Sequence, residues 1–379
     1  MLLFLALLSA VVWLWLLLAY GAFWRSRPVL GPAKPTRFLK VAVVIPARNE
    51  ADHIGETLRA LLGQQFHGEL RVVLVDDNST DTTGAIGNAM AGVDTRLHVL
   101  AGAPLPPGWI GKMWAVAQGL ARPEALAADF VLLTDADITH GPGHLAALLS
   151  HAEQTHCGLV SEMVRLRCET FAERATLPAF VFFFQMLYPF GWVNRTARRT
   201  AAAAGGTMLI SQQALGSIDG VSRIRSALID DVALASQVKR AGYSIWLGHG
   251  EQVVSQRRYS SLREVWEMIA RTAFVQLRYS PWLLLGTCGG MLLLYAVPVA
   301  CTLFAKGTVR LIAIAAWAGM ALAFQPTLRR YRRSPAWGVL LPFIGFFYLG
   351  ATVDSAVRFY RGQGGRWKDR TYAPTSAGN

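Results

Sequence analysis

The sequence predicts an α/β domain carried between membrane segments, and three observations predict it. Strand-like apolar runs alternate with helical patterns from residue 39 onward, several of those runs end in carboxylates, and both ends of the chain carry long apolar stretches. The clearest strand end is 130–137, Phe-Val-Leu-Leu-Thr-Asp-Ala-Asp, a buried-strand pattern closed by Asp135 and Asp137. In an open α/β sheet the ligand crevice lies outside the C-terminal strand ends. Two carboxylates there suit a hard divalent cation that also takes phosphate oxygens, although an isolated Asp-x-Asp is also the pattern of a solvated acidic turn.

The composition points the same way. An apolar share of 53% and a mean hydropathy of +0.32 stand above soluble norms and indicate a membrane. Lys and Arg number 37 against 24 Asp and Glu, and much of the +13 excess flanks apolar runs: Arg25, Arg27, Lys34, Arg37 and Lys40, then Arg329, Arg330, Arg332 and Arg333. Membrane borders explain that placement better than nucleic acid, for which no aromatic-interleaved basic stripe is present. Cys157, Cys168, Cys288 and Cys301 show neither zinc nor disulfide spacing, which suits packing roles in a reducing compartment.

Residues 1–24 read as an anchor long enough to cross about 30 Å of hydrocarbon; a cleaved signal peptide competes, but no basic region precedes the apolar run. The arginines of the basic linker 25–38 place the following domain, 39–260, in the cytoplasm. A strand at 41–45 ends in Pro46-Ala-Arg-Asn-Glu50, and Ile54, Leu58, Leu61 and Leu62 then recur at helical spacing. A second strand at 71–75 ends in Asp76-Asp-Asn-Ser-Thr-Asp81, a third is expected at 96–100, and a helix starts at Gly111-Lys112. Neither a dinucleotide fingerprint nor a P-loop, nucleophile elbow or zincin motif occurs, and the eight histidines are scattered as filler.

Residues 177–190 are apolar but too short to span and are interrupted by Pro178 and Pro189, so they read as a core helix or as an interfacial segment with Tyr188 and Trp192 at headgroup level. Gly205 and Gly206 precede a short strand, where a backbone can approach a ligand. Asp230 and Asp231 open a helix that Gly242 ends, and capping alone would account for one of the two. An interfacial helix is expected at 261–280. Beyond it, 281–357 hold three apolar runs, and the charge bias makes one of them, with Pro342 and Gly345, a re-entrant hairpin. A basic cytoplasmic tail, 358–379, follows.

Taken together, Pro46-Ala-Arg-Asn-Glu50, Asp76-Asp-Asn-Ser-Thr-Asp81, Lys112 and Thr134-Asp-Ala-Asp137 resemble the nucleotide-binding half of family 2 glycosyltransferases. The resemblance implies a GT-A, Rossmann-like domain with a mixed sheet, and a metal-dependent, inverting transfer of a hexose from a nucleotide-sugar, UDP-linked in most of the family. It implies nucleotide contacts from Pro46, Ala47, Arg48, Glu50, Asp76, Asp77, Lys112 and Asp135, with Mn²⁺ or Mg²⁺ on Asp135 and Asp137. Gly205, Gly206, Thr207 and Asp230 fall where the family keeps its donor-sugar and acceptor contacts, and Asp231 where it keeps its catalytic base. Ser255-Gln-Arg-Arg-Tyr259 is similar to the family's Q-x-x-R-W element, with Ser255 in place of Gln and Tyr259 in place of Trp, and Arg258 is the arginine it implies for the diphosphate. The whole chain, with its tail Arg366-Trp-Lys-Asp-Arg-Thr-Tyr372, most resembles bacterial hopanoid-biosynthesis-associated membrane glycosyltransferases. That implies a multi-pass inner-membrane enzyme, a membrane lipid acceptor of hopanoid or other isoprenoid type, and no nucleic-acid partner. Polyprenyl phosphate and glycerolipid are the rival acceptors. A non-catalytic membrane scaffold and a membrane nucleotidyltransferase are the rival functions, and a scaffold has no use for Asp231.

Overall fold

The computed structural model describes residues 1–363 and the backbone of 366–367 and 370–371, so Lys368, Asp369 and Tyr372 of the tail motif lie outside the described residues. Alternation along strand β1 (Leu39–Ala47) decides the layering. Val41, Val43 and Ile45 pack with Ile54, Leu58 and Leu148 on one face, while Ala42 and Val44 pack with Met113, Val116 and Leu234 on the other. Both faces are apolar, as a strand covered by helices on two sides requires.

With β2 (Gly68–Asp76), β3 (Leu97–Ala101), β4 (Phe130–Leu133), β5 (Ile138–His140), β6 (Leu159–Arg165), β7 (Met208–Ser211) and β8 (Ile245–Ser255), β1 builds one eight-stranded sheet in the order β3-β2-β1-β4-β7-β6-β8-β5. The sheet is mixed: β3, β2, β1 and β4 run parallel, and β7 is antiparallel to both β4 and β6. Gly206 makes the approach to β7 possible. A Cβ there would fall 2.5 Å from the Val164 side chain, so only hydrogen lets that loop lie against β6. Gly242, at φ +92°, closes the helix Asp230–Arg240 as the sequence expects. The edge of β8 that β5 leaves open is occupied by two loops: Leu247 exchanges hydrogen bonds with the Asn194 side chain, at 2.7 and 3.0 Å, and His249 N donates to Pro28 O at 2.8 Å.

A helical layer lies beyond the C-terminal ends of these strands. Three runs among the described residues are long and apolar enough to cross a membrane: Phe171–Val193, Pro281–Phe304 and Gly307–Arg330. The first corrects the expectation for 177–190. A capping box between Thr170 and Glu173 starts the helix Phe171–Leu187 well before Pro178, which is accommodated inside it; only Pro189 marks a break. The run is more than half buried in the protein. The N-terminal helix is shorter than the expected 1–24, because it ends at Leu18 and the chain turns through Gly21 and Ala22, both at positive φ. It packs along Gly307–Arg330, and Trp13 Nε1 donates to Leu294 O at 3.0 Å.

After Arg330 the chain doubles back: Gln325 Nε2 donates to Pro335 O at 3.1 Å and Trp317 Nε1 to Val339 O at 3.0 Å, so 335–339 retraces the preceding helix. Leu341–Tyr360 then leads outward again to the helix Leu262–Gln276, where Trp266 Nε1 donates to Asp354 Oδ2 at 2.7 Å and Phe274 N to Ser355 Oγ at 3.0 Å.

Leu132 is fully buried at the centre of the sheet. Leu132→Ala is expected to lower unfolding stability by about 2–5 kcal/mol, read as a fall in the denaturation midpoint of the detergent-solubilised protein.

Candidate active site

Lys112 sits in the first turn of the helix Gly111–Leu120, where the helix dipole disfavours a cation. Carboxylates from two other elements compensate. Lys112 Nζ lies 2.8 Å from Asp135 Oδ1, beyond β4, and 3.1 Å from Asp230 Oδ2, at the start of Asp230–Arg240. Burial alone would depress the ammonium; Asp135 and Asp230, then Asp231, outweigh it and hold Lys112 above the ordinary lysine value. Asp231 takes a backbone hydrogen on each oxygen, from Gly205 N at 2.9 Å and from Val232 N at 2.8 Å. Burial and then the neighbouring Asp230 push its carboxyl up to about 7, against the opposing pull of Lys112. Asp137 rises to about 6 through burial, then through Asp135 and Glu50, with Arg257 and His53 opposing.

The cleft over this cluster is lined by Pro46, Lys112, Asp135, Gly205 and Asp230, with Met113, Met208 and Leu234 as its apolar wall. Thr207 is fully buried and does not line the cleft, its carbonyl accepting from Ser161 Oγ at 2.9 Å. Ala47 is buried in β1 and its carbonyl accepts from Asp77 N at 2.8 Å. Arg48 points to the backbone, donating to the carbonyls of Asp77 and Asn78 at 2.7 and 2.9 Å, and so ties the ends of β1 and β2 together. Asp76 Oδ1 accepts from Ser79 N at 3.0 Å, while Asp77 is fully buried. Arg257 and Arg258 are both exposed, and the charge of Arg257 acts on Asp137.

The donor chemistry fits a divalent cation. Asp137, Asp135 and Glu50 repel one another, a repulsion that a cation relieves. Among the described residues no three His, Cys, Asp or Glu side chains are placed to enclose an ion. Phosphate oxygens and water would have to complete the shell, as is usual for Mg²⁺ at phosphate sites.

The sequence profile of the family described as Glycosyltransferase like family 2 matches residues 37–274, more than half of the chain. The chain belongs to this glycosyltransferase family. It is 24% identical over 319 residues to an undecaprenyl-phosphate 4-deoxy-4-formamido-L-arabinose transferase of Klebsiella pneumoniae, covering 82% of this chain and 85% of the relative. It is 29% identical over 123 residues to a 4,4'-diaponeurosporenoate glycosyltransferase of Staphylococcus haemolyticus, covering 32% of this chain and only 31% of that relative's length. In structure it is similar to a mannosyltransferase from Pyrobaculum calidifontis in complex with GDP-Man and Mn²⁺, with a TM-score of 0.58, 20% sequence identity, and coverage of 94% of this chain and 98% of that one. At that identity the likeness speaks to the GT-A fold.

Several polar groups of this glycosyltransferase are not legible in the sequence as parts of the site, and Tyr188 is marked there only as an interfacial aromatic. Arg271, on the helix Leu262–Gln276, is a charge neighbour of Asp135 and Asp230, and Tyr188, hydrogen-bonded to Gln276, is a neighbour of Asp231. Behind the cluster runs a buried chain: Thr134 Oγ1 donates to Gly206 O at 2.8 Å and meets His140 Nε2 at 2.9 Å, His140 Nδ1 meets His144 Nδ1 at 2.9 Å, and His144 Nε2 meets Glu162 Oε2 at 2.8 Å. One proton assignment satisfies every link. The Thr134 proton goes to Gly206, so His140 must donate through Nε2 and accept at Nδ1 from His144. His144 and Glu162 then share a single further proton. Burial, then His144, lowers the His140 pKa well below the ordinary value, in keeping with a neutral ring.

Two outcomes follow from these arrangements. His140→Leu strands the His144 N–H and is expected to cost about 1–3 kcal/mol, whereas Glu162→Gln, whose amide can donate to His144 Nε2, is expected to cost about 1 kcal/mol or less; thermal denaturation of the two variants compares them. The folded protein holds the Asp231 proton up to about pH 7, and an unfolded chain releases it near pH 4, at about the ordinary carboxyl value. Stability contributed by that proton is therefore present at low pH and lost as pH rises through about 7. Asp231→Asn is expected to flatten the decline, measured as denaturation midpoints from pH 4 to pH 8 without added metal.

Proposed function

We propose that the protein transfers a hexose from a nucleotide-sugar, UDP-linked as the family resemblance implies, to the hydroxyl of an isoprenoid lipid in the membrane, with inversion at the anomeric carbon. The observation that carries this reading is Asp231, a half-buried carboxylate of raised proton affinity held by the Gly205 amide beside the Lys112 cluster that lines the cleft. A hydroxyl acceptor needs a base within reach, and a group titrating near neutrality suits that task.

In this reading the nucleotide lies across the ends of β1 and β2, against Pro46, Glu50 and Asp76. Asp135 and Asp137 hold Mn²⁺ or Mg²⁺ when it is bound, and the ion supplies positive charge against the leaving diphosphate. Lys112 and Arg257, with Arg258 nearby, add to that field. Gly205 fixes the Asp231 carboxylate through its amide, and Asp230 keeps Lys112 in place. The acceptor oxygen forms its bond to C1 as its proton passes to Asp231, and the C1–O bond to the diphosphate breaks with its electron pair leaving on phosphate. One displacement without a protein nucleophile inverts the configuration.

The apolar helices support a multi-pass membrane placement with the sheet on the cytoplasmic side, and the doubling back of 335–339 supports a re-entrant final run. A hopanoid alcohol is the acceptor we favour. A second reading, transfer to a polyprenyl phosphate, is favoured by the full-length similarity to the Klebsiella transferase. The two differ in chemistry, because a phosphate oxygen is already anionic and needs no base.

With a hydroxyl acceptor, kcat/KM is expected to rise about tenfold per pH unit up to about pH 7, and Asp231→Asn is expected to lose on the order of 10²–10⁴-fold in turnover with nucleotide affinity unchanged. UDP release from purified protein, assayed with metal against hopanoid alcohols and undecaprenyl phosphate, measures both. Transfer to undecaprenyl phosphate that survives in Asp231→Asn would establish the second reading instead.

A further inference from the structure

A second cavity, of about 750 Å³, lies apart from the cleft, and none of Lys112, Asp135, Asp137, Asp230 or Asp231 lines it. Its walls come from three distant parts of the chain: Arg27 from the segment after the N-terminal helix, Arg165 from the last position of β6, and Arg329, Arg330 and Arg332 from the end of the apolar helix Gly307–Arg330. Against these five arginines stands one carboxylate, Glu251. Arg330 is anchored, with one guanidinium nitrogen donating to Gly250 O at 2.6 Å and another 3.9 Å from Glu251. Among the described residues the guanidinium groups of Arg27, Arg165, Arg329 and Arg332 have no hydrogen-bonded or ion-paired partner.

Helix-dipole complementarity explains basic residues in the last turn of Gly307–Arg330. It does not explain why a strand end and a linker deliver two further arginines to the same cavity. Such a concentration of like charge is unfavourable unless an anion joins it. The cavity's position names the source. It sits where the apolar helix Gly307–Arg330 ends, and the outer face of that helix exposes Leu311 and Leu322, each 68% accessible, as a track for an acyl chain. Basic cavities between membrane helices at the aqueous border are suited to phosphate headgroups.

We infer that this cavity binds the phosphate headgroup of an anionic phospholipid of the surrounding bilayer, as a structural lipid site separate from the catalytic cleft. Arg165, Arg329 and Arg332 meet the phosphate, and Arg330 is the fixed wall behind them. The inference rests on the membrane placement proposed above and is independent of which sugar or acceptor the cleft uses.

Native mass spectrometry of the full chain, released from neutral detergent after titration with phosphatidylglycerol or phosphatidylcholine, tests it. One phosphatidylglycerol is expected to be retained at least about tenfold more tightly than phosphatidylcholine. Arg165→Gln/Arg332→Gln is expected to abolish that preference with nucleotide binding intact. Glu251→Gln removes the lone opposing charge from a side chain that is 66% exposed, so it spares the fold, and it is expected to tighten retention severalfold. Equal retention of both lipids, no tightening in Glu251→Gln, displacement by millimolar inorganic phosphate, or a tenfold preference for undecaprenyl phosphate over phosphatidylglycerol would each overturn the assignment. Failure of the protein to insert into vesicles of either lipid would instead overturn the membrane placement beneath it.

Discussion

The ion-pair bridge at Lys112 is the constraint on which the cleft depends. One ammonium is shared between Asp135 at 2.8 Å and Asp230 at 3.1 Å, joining the strand end beyond β4 to the start of the helix Asp230–Arg240. Removing one member of a partly buried ion pair leaves its partner uncompensated, so the bridge has to be complete to be stabilising. It also sets the position of Asp231, which follows Asp230 directly and is held on its other side by the Gly205 amide.

The bridge leaves an electrostatic imbalance beside it. Asp137 and Asp231 bind protons more tightly than ordinary carboxyls because burial and like charge combine around them. Raised proton affinity in a cleft marks a place where some other positive charge is favoured. The buried Thr134–His140–His144–Glu162 chain works in the opposite sense: every link has a partner, so it makes the strand end and the Gly206 loop stiff rather than reactive. A stiff backing under a charge-strained surface is an arrangement that lets ligand charge, rather than backbone movement, relieve the strain.

What could be read from the sequence were features with local signatures. The run at 130–133 is a strand because it is apolar and rich in β-formers, and Asp135 and Asp137 follow it as its exit. Gly242 ends its helix at positive φ, as a glycine there should. What escaped were relations between distant segments. Nothing local pairs His144 with Glu162, or brings Arg271 to Asp135. Arg257 and Arg258 follow the end of β8 in irregular chain, where sequence order alone does not tell which arginine's charge acts on Asp137. Arg48 was legible as a neighbour of the site, yet its side chain serves the backbone instead: strand ends need hydrogen-bond partners as much as ligands do. The apolar run around Pro178 was misjudged because its capping box lies upstream of the apolar stretch itself.

The outer border of β8 carries a consequence beyond the cleft. Its backbone is closed by the Asn194 side chain and by the Pro28 carbonyl, and Pro28 belongs to the stretch that leads out of the N-terminal helix. The segment after the N-terminal helix therefore doubles as a strand cover. A truncation beginning at β1 would keep Asn194 on Leu247 but discard the Pro28–Val29 partner and leave the His249 amide unpaired at the sheet edge, a place where copies of a chain can add to one another. Aggregation of such a fragment would reflect the loss of that cover as much as the loss of lipid.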